Sequence, residues 1–258
     1  MTIVGLTPAS VLDLADRPDH PEHIVIESSG VADPEGVFET FLLSEIRDKV
    51  LIDGVLTVVD AEQILSIPEQ EAKLAKEQII GADLIILNKI DLVDDKTLSK
   101  VRQWIEKQKP NIPILAAENC QLPIEVLLGV NAPEDTPRGT KQTAHEHSHG
   151  PHDHHHSLEF ETWNYVSDQP MHLALVQQLL NHLPATLFRA KGFLFTTDKP
   201  DYRLVLQLVG RRAVMSVDQP WGNDAPQTRL VFIARHGTCN FEAIGKALTQ
   251  CQSEKAVS

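Results

Sequence analysis

Residues 82–92 read Ala-Asp-Leu-Ile-Ile-Leu-Asn-Lys-Ile-Asp-Leu. The apolar run at residues 84–87 reads as a buried strand of a parallel sheet. It ends in Asn88-Lys89-Ile90-Asp91, and polar residues at the carboxyl end of such a strand stand where open α/β sheets bind ligands. The four residues have a specific chemical use. An aspartate carboxylate at Asp91 can accept two hydrogen bonds at once, from the ring N–H and the exocyclic amine of guanine. Adenine offers no such pair of donors. The Lys89 stem can lie along the base face, and Asn88 can tie neighbouring loops together. The competing reading is a strand-to-helix turn with a polar cap and no ligand.

Two stretches upstream extend the pattern. His23-Ile24-Val25-Ile26-Glu27-Ser28-Ser29-Gly30-Val31-Ala32-Asp33-Pro34 predicts a short strand over residues 23–27. Glu27 would stand at its carboxyl end, where it could hold a Mg²⁺-bound water or an attacking water. Gly30 could bring its backbone N–H close to a γ-phosphate, because no Cβ blocks the approach. A helix N-cap formed by Ser28, Ser29 or Asp33, with Pro34 in the first turn, explains the same residues without a ligand. Leu51-Ile52-Asp53-Gly54-Val55-Leu56-Thr57-Val58-Val59-Asp60-Ala61 predicts a second buried strand over residues 53–60. Asp60 at its end reads as the cap of the next helix.

A guanine site calls for a phosphate site. The phosphate cradle Gly-x-x-x-x-Gly-Lys-Ser/Thr is not found among these residues. The one Gly-Lys pair, Gly245-Lys246, is followed by Ala247, and Asn240 stands where the first glycine belongs.

The three stretches, taken in order, resemble the CobW-like family of P-loop GTPases, which is similar to the nickel-handling GTPases of hydrogenase and urease maturation. Arg189-Ala190-Lys191-Gly192-Phe193 resembles the opening of that family's C-terminal domain. The resemblance covers nearly the whole chain. It implies an α/β fold: a P-loop GTPase-like parallel sheet, incomplete at the N-terminus, followed by a small α+β domain. It also implies GTP, with Mg²⁺, hydrolysed in step with delivery of zinc or cobalt to a client protein. Glu27 and Gly30 would be the catalytic residues, and Asn88, Lys89 and Asp91 the guanine-binding ones. The family's Cys-x-Cys-Cys metal motif is not matched by Cys120, Cys239 or Cys251. With no matching phosphate loop, the expectation is a start site lying upstream, an oligomer or partner chain completing the sheet, or a decaying remnant of such a protein. A sheet short of its central strand would also melt broadly or at low temperature.

Composition sets outer bounds. The chain has 258 residues, 42% apolar and 23% charged, which suits one large or two modest soluble domains. Its formal net charge of −13 argues against nucleic acid or an anionic membrane surface as partner. Three scattered cysteines do not make a disulfide framework, and no apolar run reaches the length of a membrane span. A cytoplasmic location is the expectation.

Periodicity divides the chain at residues 1–130, 131–157 and 158–254. Helices are predicted near residues 9–17, 35–48, 69–81 and 95–109, the last with Leu98, Val101, Trp104 and Ile105 inward. A strand is expected over residues 112–116. Residues 131–157 read as a linker rich in Pro, Gly, Thr and His. Beyond it, strands are predicted at 158–165, 190–197, 202–209, 213–217 and 230–235, most of them consecutive with short turns, together with helices at 171–183 and 241–251. This is the pattern of a largely antiparallel sheet.

The linker holds His145, His147, His149, His152, His154, His155 and His156. Imidazole binds zinc and other divalent transition metals, and a flexible segment can gather several rings on one ion. A solvated, compositionally biased linker is the alternative. Two functions are therefore expected from sequence. One is a GTP-dependent metal chaperone. The other is a non-enzymatic metal-binding or docking protein with a vestigial nucleotide fold.

Overall fold

The computed structural model describes residues 8–28, 41, 44–47, 49–128, 141–143 and 160–252. The chain forms two compact units, residues 1–121 and 122–258. In the first, the described elements run α1 (Pro8–Ala15), α2 (Ser44–Arg47), β1 (Leu56–Asp60), α3 (Glu69–Gly81), β2 (Leu84–Asn88), a 3₁₀ turn (Ile90–Leu92), α4 (Asp95–Gln108) and β3 (Ile114–Ala117).

The three strands form a parallel sheet in the order β1-β2-β3. Leu84, Ile85, Ile86 and Leu87 are all buried, as an unbroken apolar run in a central parallel strand should be. Val59, Ile85 and Leu87 pack with Ile79 of α3 and Val101 and Ile105 of α4 in one cluster, flanked by Leu98 and Trp104. The inward face expected for residues 95–109 is thus the buried face of α4. The helix starts where Asp94 caps it, its carboxylate accepting from the Thr97 N–H at 2.7 Å. Asp83 pins the entry of β1 to that of β2. Its carboxylate accepts from the Val55 N–H at 3.0 Å, and its own N–H donates to the Val55 carbonyl at 2.8 Å.

The strand expected over residues 23–27 is reduced to one bridged residue, Val25. Three apolar residues are few for a strand, and Val25 is 50% exposed, so half of its side chain lies outside any core. Ile26 packs instead beside a small cluster of Val11, Phe41 and Ile46. The other expected strands and helices of this unit form within a few residues of their predicted bounds, where they fall on described residues.

The second unit begins with α5 (Ile124–Leu128). It continues through β4 (Lys141–Thr143), β5 (Phe160–Ser167), α6 (Leu173–Asn181), β6 (Leu187–Leu194), β7 (Tyr202–Val209), β8 (Arg212–Pro220), β9 (Thr228–Arg235) and α7 (Phe241–Gln250). Its sheet has six strands in the order β4-β5-β9-β6-β7-β8, and every adjacent pair is antiparallel. Residues of α6 and α7 share one core with alternate residues of β6, β7 and β9, among them Leu204, Leu206, Leu208, Leu230 and Phe232. Trp163 stacks on Phe241 with ring centroids 5.4 Å apart, which seats the start of α7 on the sheet. Two elements went unread in the sequence. The α5 helix has only five residues. The β4 strand has three residues inside the stretch read as linker, and it forms by pairing along the edge of β5.

Gly192 explains part of the Arg-Ala-Lys-Gly-Phe stretch. It sits in β6 at φ +149°, and a Cβ there would lie 1.9 Å from the Arg229 carbonyl oxygen of β9. The strands approach closely because no side chain stands between them. Gly192→Ala should therefore destabilise the second unit by about 2–4 kcal/mol through overpacking and backbone strain. Chemical denaturation of variant and parent checks this, and equal midpoints would contradict it.

Candidate functional site: the carboxyl ends of the parallel strands

Parallel pairing sets Asp60 of β1 level with Asn88 of β2, and Asn88 level with Ala117 of β3. The three strands thus end in one row. The chain leaves β2 through Lys89, a non-glycine residue in the left-handed region at φ 61° and ψ 36°. That backbone choice is uncommon outside glycine. Here it turns the chain sharply off the strand into the 3₁₀ turn at Ile90–Leu92.

Each polar side chain of the row then finds a place. The Asn88 side-chain oxygen accepts from the Cys120 N–H at 2.8 Å, and the Asn88 carbonyl accepts from the Ala61 N–H at 3.0 Å. Asn88 therefore ties the loop after β3 to the loop after β1. Asn119 and Cys120 both adopt positive φ, 50° and 55°. The Gln121 N–H closes that turn on the Glu118 carbonyl at 2.9 Å. Lys89 Nζ donates to Asp60 Oδ2 at 2.7 Å. The other carboxylate oxygen, Asp60 Oδ1, accepts from the N–H groups of Glu62 at 2.9 Å and Gln63 at 3.2 Å. Asp91 is exposed, and among the described residues nothing engages its carboxylate. It retains the two acceptor oxygens that guanine's paired donors require.

Asn88, Lys89 and Asp91 thus share one loop, and Asp60 joins them. Asp60 caps the turn directly after β1, whereas α3 begins at Glu69 with Pro68 at its N-cap and no side-chain cap. The helix-cap role expected for Asp60 is therefore corrected to a turn-cap role plus an ion pair with Lys89. The sequence held only part of the signal for this, two predicted strands each ending in a polar residue with a lysine one position beyond; the register that pairs them is defined by the folded sheet. Glu27 is exposed, and no hydrogen bond or ion pair among the described residues links it to the loop of Asn88. Gly30 and all seven clustered histidines lie outside the described residues. Among the described residues, no three His, Cys, Asp or Glu side chains stand close enough to hold a metal. No helix there is long and apolar enough to cross a membrane.

The ion pair has a pH signature. Burial draws the Asp60 carboxyl upward. The Lys89 hydrogen bond and the two backbone N–H donors outweigh that and leave it below the ordinary aspartate value. The Lys89 ammonium is held above the ordinary lysine value, first by its hydrogen bond to Asp60 and then by that residue's charge. A lowered carboxyl stabilises above about pH 3.9 and loses this as pH falls through its folded value, and a raised ammonium stabilises below about pH 10.4 and loses this as pH rises through its folded value. The pair should hold throughout the interval between and loosen at both extremes. A carboxyl-carbon NMR titration should place the Asp60 midpoint below that of aspartate in a free peptide. A midpoint at or above the peptide value would contradict the pairing.

Comparison with known proteins matches the same two regions. Residues 7–116 match the family model "CobW/HypB/UreG, nucleotide-binding domain". Residues 160–252 match "Cobalamin synthesis protein cobW C-terminal domain". A protein of Sinorhizobium sp named "Zinc chaperone CobW" is 30% identical, over 86% of this chain and 70% of its own length. A Pseudomonas aeruginosa protein of the same name is 32% identical over 86% of this chain and 65% of its own. "Zinc chaperone YjiA" of Escherichia coli is 28% identical over 87% and 71%. The crystal structure of Zn(II)-bound YjiA GTPase from E. coli aligns with 89% of this chain and 70% of that one, at 24% identity and a TM-score of 0.36. With both domain models matched in order, and a relative matched at this identity over most of its length, the chain belongs to the CobW family.

Proposed function

We propose that this protein recognises a guanine nucleotide at the carboxyl ends of β1, β2 and β3, and that it carries a divalent metal, zinc in the first place, to a client protein. The observation that carries the reading is the loop after β2. Asn88 and Lys89 are tied down by hydrogen bonds of 2.8 and 2.7 Å, while the Asp91 carboxylate is exposed. That division of labour suits base recognition: Asn88 and the Lys89 ammonium are held by the protein, and the Lys89 stem and the Asp91 carboxylate are left to meet the base. Zinc is favoured over cobalt because the relatives reported above are named zinc chaperones.

The remaining roles follow from residue chemistry. Glu27 would orient water, and the Gly30 N–H would meet the terminal phosphate. Bound Mg²⁺ would neutralise phosphate charge. The seven histidines from His145 to His156 would take up the metal cargo, and the second unit would meet the client. The chain spans 65–71% of the length of the three relatives reported above, so GTP turnover by the whole protein is part of the proposal.

Two experiments test these roles. Asp91→Asn replaces an acceptor by a donor, so it should weaken GDP binding about 10- to 100-fold. It should also improve binding of the xanthine analogue, whose C2 carbonyl accepts where guanine donates. Equal GDP affinity in variant and parent, by calorimetry, would dismiss the role. Replacing all seven clustered histidines by Ala should remove most of the weak Zn²⁺ or Ni²⁺ sites. An unchanged stoichiometry in a calorimetric titration would sink the idea that the cluster carries metal.

A further inference from the structure

We infer that Asp60 is the positioning residue of the guanine-reading loop: by holding the Lys89 ammonium, it fixes the lysine stem as a preset edge against which the base lies. The inference rests on the guanine reading above and gives a role to a residue outside the Asn-Lys-x-Asp stretch.

The geometry separates the two oxygens of Asp60. Oδ1 is held by the Glu62 and Gln63 N–H groups, so the carboxylate cannot rotate freely. Oδ2 is thereby aimed at Lys89 Nζ, 2.7 Å away. The strand register sets Asp60 beside Asn88, and the left-handed backbone of Lys89 sends the next residues off the strand. A free lysine stem has rotamer entropy to lose when it is ordered. A stem already held by Asp60 loses less when a base arrives, and such preorganisation appears as affinity. The pair is only partly shielded, with side-chain exposures of 42% for Lys89 and 27% for Asp60. Its value therefore lies in orientation more than in bond strength.

Asp60→Asn isolates this role. The amide oxygen still accepts from the turn N–H groups, while the charge that holds Lys89 is gone. With GDP as the calorimetric probe and the full chain as the protein, the variant should bind about 5-fold more weakly, with only a small drop in melting temperature from loss of a partly exposed ion pair. Lys89→Met should lose a similar factor, and the double variant should lose no more than the larger single loss. Parent-like GDP affinity in Asp60→Asn, or losses that multiply in the double variant, would overturn the inference. A ligand-free measurement decides it independently. Acetylation of Lys89 Nζ, followed by mass spectrometry, should run several-fold faster in Asp60→Asn than in the parent, and equal rates would overturn the positioning role. A parent that takes up no GDP would instead refute the guanine reading, while the acetylation rates would still show whether Asp60 holds Lys89.

Discussion

The register of the parallel strands is the constraint on which the site depends. One hydrogen-bonding frame sets Asp60, Asn88 and Ala117 level across three strands, and the polar ends meet there. A slip of one residue would turn β2 over. It would carry Asn88 away from Cys120 and Lys89 away from Asp60. What prevents the slip is the packing below: Val59, Ile85 and Leu87 lock against Ile79, Val101 and Ile105. The row of polar strand ends is therefore set by core residues packed away from it. The loop hydrogen bonds are a consequence of that placement.

The second unit uses a different solution to the same need for order. Its antiparallel strands bury one face under α6 and α7, and a central glycine lets two backbones approach more closely than any side chain allows. Asn240 caps α7 by accepting from the Ala243 N–H at 3.0 Å. At the far end, the Gln252 amide bridges Tyr165 and Ser167 at 2.7 and 2.8 Å. The last helix is thus anchored to β5 at both ends, by Trp163 against Phe241 and by Gln252.

Most of the architecture was legible because the periods were clean. The unbroken apolar run of β2, the inward face of α4 and the alternating strands of the second unit all state their environment in the order of their residues. Short elements were not legible. Lys141–Thr143 has no apolar period of its own, and its strand exists only because β5 offers an edge. Ile24, Val25 and Ile26 erred the other way: three β-branched residues suggest a strand, yet burial, not propensity, decides whether a strand extends. Within the candidate site, the sharing of one loop by Asn88, Lys89 and Asp91 could be read directly from their spacing. The pairing of Asp60 with Lys89 could not, because it joins residues 29 positions apart through a register that only the folded sheet defines. Gly30 and the histidine cluster fall outside the described residues, and their roles rest on residue chemistry alone.

The central claim is that the carboxyl ends of β1, β2 and β3 read guanine. Backbone amide NMR of the isotopically labelled full chain, titrated with GDP and separately with ADP, addresses it most directly. The account predicts shifts confined to residues 88–92, the turn at 118–120 and the start of the loop at 60–63, present with GDP and far smaller with ADP. Shifts of equal size with both nucleotides, or none at those residues with GDP, would contradict it.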